Sequence, residues 1–387
     1  MNVRQRRFPL KTLWEQKKKI VVIFGLINLL SLQISGSPKF VRNTLPEIDA
    51  CEGKIKLTLT RIWGDDQTED ENQFFRFPMD IKINKKNSVY IVDSGNNRVQ
   101  VFDRNGVFKQ SIGRVGQGPG DLLTPGAVDF DTVGNLFTAD HGNYRIQVFD
   151  PQGKYLDSFK TVGAQPTYIA LTGKDEIALY SYEKSCKSGH LLTLYAPEGK
   201  VLKEIGKFFE RPKSKVNTEG IFFTIDQNDS FYVSFCATPC YIKYSYDGNP
   251  GLIVTFDMPF KTPYVELSES KKNIKVTGEH NERVSSGIAI DRTGKFYLAA
   301  STRPMKKKEN FFLVSDGNGT MRRYPKGPYP DSTDRFRLLV FSPAGKIIAA
   351  GKLNVFCDAI YVHEKSLFIL DTYMGMKIYE YRVSFGS

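Results

Sequence analysis

The sequence predicts an all-β protein, a six-bladed β-propeller of four-stranded antiparallel blades, and three observations carry that expectation. The segment DSGNNRVQVFD starting at Asp93 recurs almost letter for letter as DHGNYRIQVFD at Asp140, an offset of 47 residues, which is the signature of a repeat architecture. Phe and Tyr are abundant, 28 and 19 residues, and favour strands, while no amphipathic helix of useful length follows Ser37. In VYIVD and VQVF apolar side chains point to both faces, so each small sheet is covered on both sides. Four-stranded sheets packed face to face around an axis satisfy all three.

The elements follow in order. The first unit reads MDIKI, SVYIVD, RVQVFD and VFKQSIG, each bounded by Gly, Asn and Asp; the second reads AVDFD, NLFTAD, RIQVFD and KYLDSF. Degraded units follow over 167–206, 221–256, 287–352 and 358–383. The fifth carries a long insertion, and the sixth lacks a final strand. KIKLTLTRIWG, 54–64, resembles a closing strand and precedes the first full unit. The two ends of the chain then complete one sheet and close the ring, which bounds the propeller at 54–387, preceded by a linker at 38–53.

The unit P-x-D-I…V-Y-I-V-D-S-G-N-N-R-V-Q-V-F-D-x-x-G…I-G resembles the NHL repeat, specifically over 77–160 and more weakly across 54–383. The connection IGRVGQGPGDLLTP is similar to the linker of bacterial exported propellers of that class. The resemblance implies a six-bladed ring. NHL propellers include binding modules, scaffolds and a few enzymes, so it leaves chemistry open.

Strand parity separates two faces. The a–b and c–d turns (NKKN, RNG, TVGN, PQG, PEG, PAG) are uniformly tight. The b–c loops and the connections between blades are elaborated: GRVGQGPGDLLTP, EKSCKSGH, CATPC, Asp257–Ser286 and Thr302–Asp334. Variable loops on a rigid scaffold are where binding usually sits. The candidate binding face therefore comprises Asp93, Asn97, Arg98, Asp140, His141, Tyr144, Arg145, Asp371 and Tyr373. For the recurring members a structural role is the plainer expectation. Asp93 and Asp140 end strand b and can accept N–H groups of the following turn, Gly95 and Gly142 allow positive φ there, and Arg98 and Arg145 can pair with a carboxylate. GRVGQGPG is read as an inter-blade linker, since a strand rather than a helix follows it and no Lys-Ser/Thr pair is present.

No catalytic residue is assigned, and there is no G-x-S-x-G, H-E-x-x-H or D-x-D-x-D-G motif. His141, His190 and His280 fall on the elaborated face and could hold zinc, as in the amidating lyases that share the NHL propeller; solvated loop histidines are the default. No cofactor is expected, with zinc or calcium as the alternative. Cys236 and Cys240, in SFCATPCY, are a candidate loop-clasping disulfide or two thiols. The insertion after Thr302 carries seven Lys/Arg against four Asp/Glu, and FFLVSDGNGTMRRY within it reads as a hairpin.

The formal charge of +12 is half N-terminal: residues 1–19 hold seven Lys/Arg and one Glu. The basic segment ends in Lys17-Lys18-Lys19, the apolar run Ile20–Leu32 follows, and small residues lie at Ser35, Gly36 and Ser37. Residues 1–37 thus read as an export signal or a retained membrane anchor. Export argues against nucleic acid as partner. The functional expectation is an exported ligand- or protein-binding module recognising a protein or glycan through the elaborated face. The alternative is a metal-dependent lyase or hydrolase at the channel mouth of that face.

Overall fold

The computed structural model describes residues 38–386 apart from 65–70, 73, 162, 208–219, 263, 268–273, 278–282, 305, 307–310, 316–320 and 326–331. Residues 1–37, expected as an export signal or a membrane anchor, and His280 lie outside the described residues. Among those described, no helix is long and apolar enough to cross a membrane.

The chain begins with β1 (Lys39–Asn43), a short helix α1 (Leu45–Asp49) and β2 (Ile55–Trp63). Blade one is β3 to β6 (Pro78–Ile83, Val89–Asp93, Arg98–Phe102, Phe108–Ile112), and blade two β7 to β10 (Val128–Phe130, Leu136–Asp140, Arg145–Phe149, Tyr155–Lys160). Blade three is β11 and β12 (Tyr168–Leu171, Ile177–Tyr180), helix α2 (Tyr182–Ser188), then β13 and β14 (His190–Tyr195, Val201–Lys207). Blade four is β15 to β18 (Ile221–Ile225, Phe231–Phe235, Cys240–Tyr244, Pro250–Phe256), followed by a separate hairpin of β19 (Tyr264–Leu267) and β20 (Ile274–Thr277). Blade five is β21 and β22 (Ser285–Ile290, Phe296–Ser301), then β25 and β26 (Phe336–Phe341, Ile347–Leu353), interrupted by the hairpin β23 (Phe311–Ser315) and β24 (Met321–Pro325) expected of the insertion. Blade six is β27 to β29 (Ala359–His363, Ser366–Asp371, Lys377–Phe385) completed by β2.

The ring closes as the sequence predicts. β2 pairs antiparallel with β29 from Ile55↔Phe385 to Trp63↔Ile378, so opening it requires breaking a strand pair rather than parting two blades. Residues 38–53, expected as a linker, are instead ordered as a strap. β1 adds to blade four as a fifth strand, parallel to β18. Asn43, fully buried, clasps blade five: its Nδ2 donates to Gly345 O at 3.0 Å and its Oδ1 accepts from Ile347 N at 2.8 Å. Ile48 of α1 joins the same core. The strap belongs to no repeat, and its five-residue strand carries no period-two pattern long enough to read.

Six apolar clusters fill the molecule, one in each interface between adjacent blades. Strand β4 shows why its sequence is apolar throughout: Val89 and Ile91 pack toward blade six, Tyr90 and Val92 toward blade two. Each fully buried large side chain, such as Phe341 or Phe368, contributes about 1.5–3 kcal/mol.

Aspartates build several turns of the plain face. Asp103 Oδ1 accepts from Asn105 N and Val107 N at 2.9 and 3.0 Å, and Asp150, Asp226 and Asp291 repeat the arrangement in their own turns. This explains the final Asp of QVFD. On the opposite face, EKSCKSGH is helical in part. Ser181 caps α2 by accepting from Lys184 N, and Gly189, at φ 76°, ends it.

Candidate functional site

The recurring b–c motif is a clamp on the connection that enters its own blade. Asp140 is fully buried. Its Oδ1 accepts from Leu123 N at 2.8 Å, and its Oδ2 from Asn143 Nδ2 at 2.9 Å and Arg145 Nε at 2.7 Å. The Arg145 guanidinium then reaches three carbonyls of the linker: Gln117 at 3.0 Å, and Gly118 and Asp121 at 2.8 Å each. Blade one repeats this with Asp93, which accepts from Arg76 N at 2.7 Å, Asn96 Nδ2 at 2.8 Å and Arg98 Nε at 2.9 Å. Asn97, in the left-handed region at φ 58°, accepts from Thr124 N at 2.8 Å and ties blade one to the connection entering blade two. The carboxylates thus accept a backbone N–H from the chain seventeen residues earlier, not from the following turn.

The glycines of the motif serve a different need from the one expected. Neither Gly95 nor Gly142 has positive φ; that conformation falls to Asn97 and Tyr144 at 58° and 56°. A Cβ on Gly95 would instead lie 2.6 Å from Arg76 O, and one on Gly142 2.8 Å from Leu123 O. Glycine is required because the linker backbone runs against it, each glycine N–H donating to that same carbonyl at 2.7 and 2.8 Å. Gly142→Ala is expected to cost about 1–3 kcal/mol through displacement of the linker, read as a lower urea midpoint with an unchanged m-value.

With this set accounted for, the axis of the ring offers the site. A cavity of about 100 Å³ runs along it, lined by the first strands of blades one, three, four, five and six and by Ala127 just ahead of that of blade two, with Met79, Tyr168, Phe222, Gly287 and Ala359 toward the elaborated face. Deeper, Lys82 lies 4.0 Å from Asp129 and 5.6 Å from the Tyr361 ring centroid. Burial works against its charge, yet Asp129 and Asp80 more than offset this and hold the ammonium above its usual pKa. Burial pushes the Asp80 carboxyl up to about 6, opposed by Lys82. Asp80 Oδ2 accepts from Val128 N at 3.0 Å and Asp129 Oδ2 from Leu171 N at 2.8 Å. These carboxylates therefore cap inner-edge N–H groups of the next blade, which have no further strand to pair with.

At the mouth, Arg283 stands over Phe222, its guanidinium carbon 5.3 Å from the ring centroid. Its Nε donates to Ser285 O at 3.1 Å, and its Nη1 lies 3.5 Å from Asp358 Oδ1. Burial opposes its charge, while Cys236, Asp358, Tyr168 and Tyr373 surround and favour it. Tyr373 approaches Met79 Sδ at 4.0 Å. Asp371 is buried beside Asp358, accepts from Met374 N at 2.9 Å, and is pushed up to about 7 by burial first and the Asp358 charge second. Cys357 is buried, and burial first and the Asp358 charge second raise its thiol well above its ordinary value.

Of the residues expected on the binding face, Asp371 and Tyr373 reach this mouth. Asp93, Asn97, Arg98, Asp140 and Arg145 build the clamps, and Tyr144 is exposed in its turn. His141 donates from Nδ1 to Pro166 O at 3.1 Å, and burial lowers its pKa. His190 Nδ1 sits 2.7 Å from Glu204 Oε2 on the outermost strand of blade three. Among the described residues no three His, Cys, Asp or Glu come together as a metal site. Cys236 and Cys240 are not joined: Cys240 packs between blades three and four, and Cys236 against the core between blades four and five, so the two side chains leave opposite faces of one sheet.

Arg283, Tyr168, Phe222, Asp358, Asp80 and Lys82 were not legible as site residues. Charges inside the otherwise apolar MDIKI were the available signal for the last two.

No curated protein matches the chain. A member of the DUF4221 family from Bacteroides vulgatus shares the fold with TM-score 0.57 at 13% identity, covering 86% of this chain and 99% of that one. A putative exported protein from Bacteroides fragilis does so with TM-score 0.53 at 8% identity, covering 90% and 100%. At such identities the likeness shows the fold alone. The family profile that matches is not that of the NHL repeat. It spans residues 70–379, and the chain belongs to that family, the domain of unknown function DUF4934.

Proposed function

We propose that this propeller is an exported binding module that takes a protein or glycan ligand at the mouth of its channel, on the face of the b–c loops and inter-blade connections. One observation carries the reading: a cavity to which all six blades contribute has Tyr168 in its wall, with Arg283 over its Phe222 and Tyr373 against its Met79. The same end of the ring carries the variable loops, whereas the other carries uniformly short turns. The NHL-like repeats over 77–160, the basic and apolar N-terminal segment, and the likeness to a putative exported protein support export and a scaffold role. Tyr373→Ala tests the site against Lys200→Ala, an exposed residue in a c–d turn of the plain face. Ligands found by screening the purified protein on glycan and cell-envelope protein arrays should bind Tyr373→Ala about tenfold more weakly and Lys200→Ala as well as the wild type. Equal binding by Tyr373→Ala, or loss in Lys200→Ala, moves the site elsewhere.

A further inference from the structure

Resting on the channel-mouth reading, we propose that Arg283 recognises a carboxylate on the ligand, held against the Phe222 and Tyr168 rings at the top of the cavity. The argument is a comparison of arginines within the chain. Arg145, 12% exposed, spends its guanidinium on one carboxylate and three carbonyls at 2.7–3.0 Å. Arg98, 17% exposed, likewise bonds a buried carboxylate at 2.9 Å and linker carbonyls. Arg283 is 27% exposed, and Nε is the one guanidinium nitrogen with a hydrogen bond among the described residues.

The neighbouring carboxylate does not use up the rest. Nη1 stands 3.5 Å from Asp358 Oδ1, well beyond the roughly 2.7–2.9 Å of a charge-assisted bond, and Asp358 Oδ2 accepts from Thr372 N at 3.1 Å. A guanidinium stacked over Phe222, itself a lining residue of the cavity, with Nε alone hydrogen-bonded among the described residues, keeps a planar pair of donors, the geometry that matches a carboxylate. Lys82, the other cation of the channel, is taken by Asp129 and Asp80 and offers no such edge. The cavity, about 100 Å³, accepts a carboxylate on a short stem, with the remainder of the ligand lying across the loops. An acidic sugar and the terminus or side chain of a peptide both supply that group.

The test is isothermal titration of the full chain with D-galacturonate and N-acetylglycine, alongside the neutral twins D-galactose and N-acetylglycinamide. Support is binding of at least one acid probe without its neutral twin, weakened about tenfold or more in Arg283→Gln; which acid binds identifies the source of the carboxylate. Should Arg283→Gln fail to fold, Arg283→Lys keeps the charge but loses the two-pronged edge, and is expected to weaken binding several-fold. Acid probes that bind the variant as well as the wild type, or no better than their neutral twins, or not at all, overturn the proposal. A ligand from the array screen that needs Tyr373 but is indifferent to Arg283→Gln would overturn the carboxylate alone and leave the channel-mouth site standing.

Discussion

Arg145→Ala is expected to destabilise the propeller by about 3–5 kcal/mol, the cost of leaving a buried carboxylate without its counter-charge. The side chain is 12% exposed and its partner Asp140 is 0% exposed. Removing it leaves Asp140 with Leu123 N, Asn143 Nδ2 and Gln147 Nε2, the last at 3.2 Å, and strips three linker carbonyls of a donor. Urea denaturation gives the magnitude, and hydrogen exchange gives the place: the amides of Gly118 and Leu123, which bond Asp121 and Asp140, should lose protection before those of blade four. Arg145→Lys should recover part of the loss, since it restores charge without the fork that spans three carbonyls. A loss below about 1 kcal/mol, the level of an exposed ion pair, would mean that the clamp is ornamental.

The clamp also shows how much could be read from sequence. That Asp93, Arg98, Asp140 and Arg145 recur for structural reasons was legible, because each blade needs the same turn. What they hold was not. The carboxylates reach back seventeen residues to the incoming chain, and only the packed ring reveals that Gly142 faces Leu123 O. Ring closure was legible because β2 resembles a missing fourth strand; the strap was not, because β1 is an extra strand outside the repeat. The mouth was the least legible part. Its members, Tyr168, Phe222, Arg283, Asp358 and Tyr373, come from connections and inner strands of four different blades, so no local pattern joins them. Strand parity gave the face and, with it, Asp371 and Tyr373; three-dimensional packing gave the other residues.

Asp371 gives the second large effect, on stability against pH. Its carboxyl is held at about 7 instead of 3.8 by burial and by Asp358, so between those values the folded state binds a proton that the unfolded state has released. Stability from this group is therefore full below about pH 4 and declines as pH rises through 7, by up to about 4 kcal/mol in total. Asp80, held at about 6, acts with the same sign. His141 and His363 act oppositely: burial lowers their pKa, so they remove stability as pH falls through their range. Comparing the wild type with Asp371→Asn cancels every group but one. The variant loses an acceptor for the Gly375 N–H that bonds the carboxylate, a fixed cost of about 1–3 kcal/mol, so its absolute stability is the wrong readout. The difference between the two proteins is the right one, and it should shift in favour of the variant by about 3 kcal/mol from pH 5 to pH 8. A difference that stays flat across that range would place the Asp371 pKa near its ordinary value. The mouth would then carry a second negative charge beside Asp358 at neutral pH, and the field around Arg283 would be less hospitable to an anion.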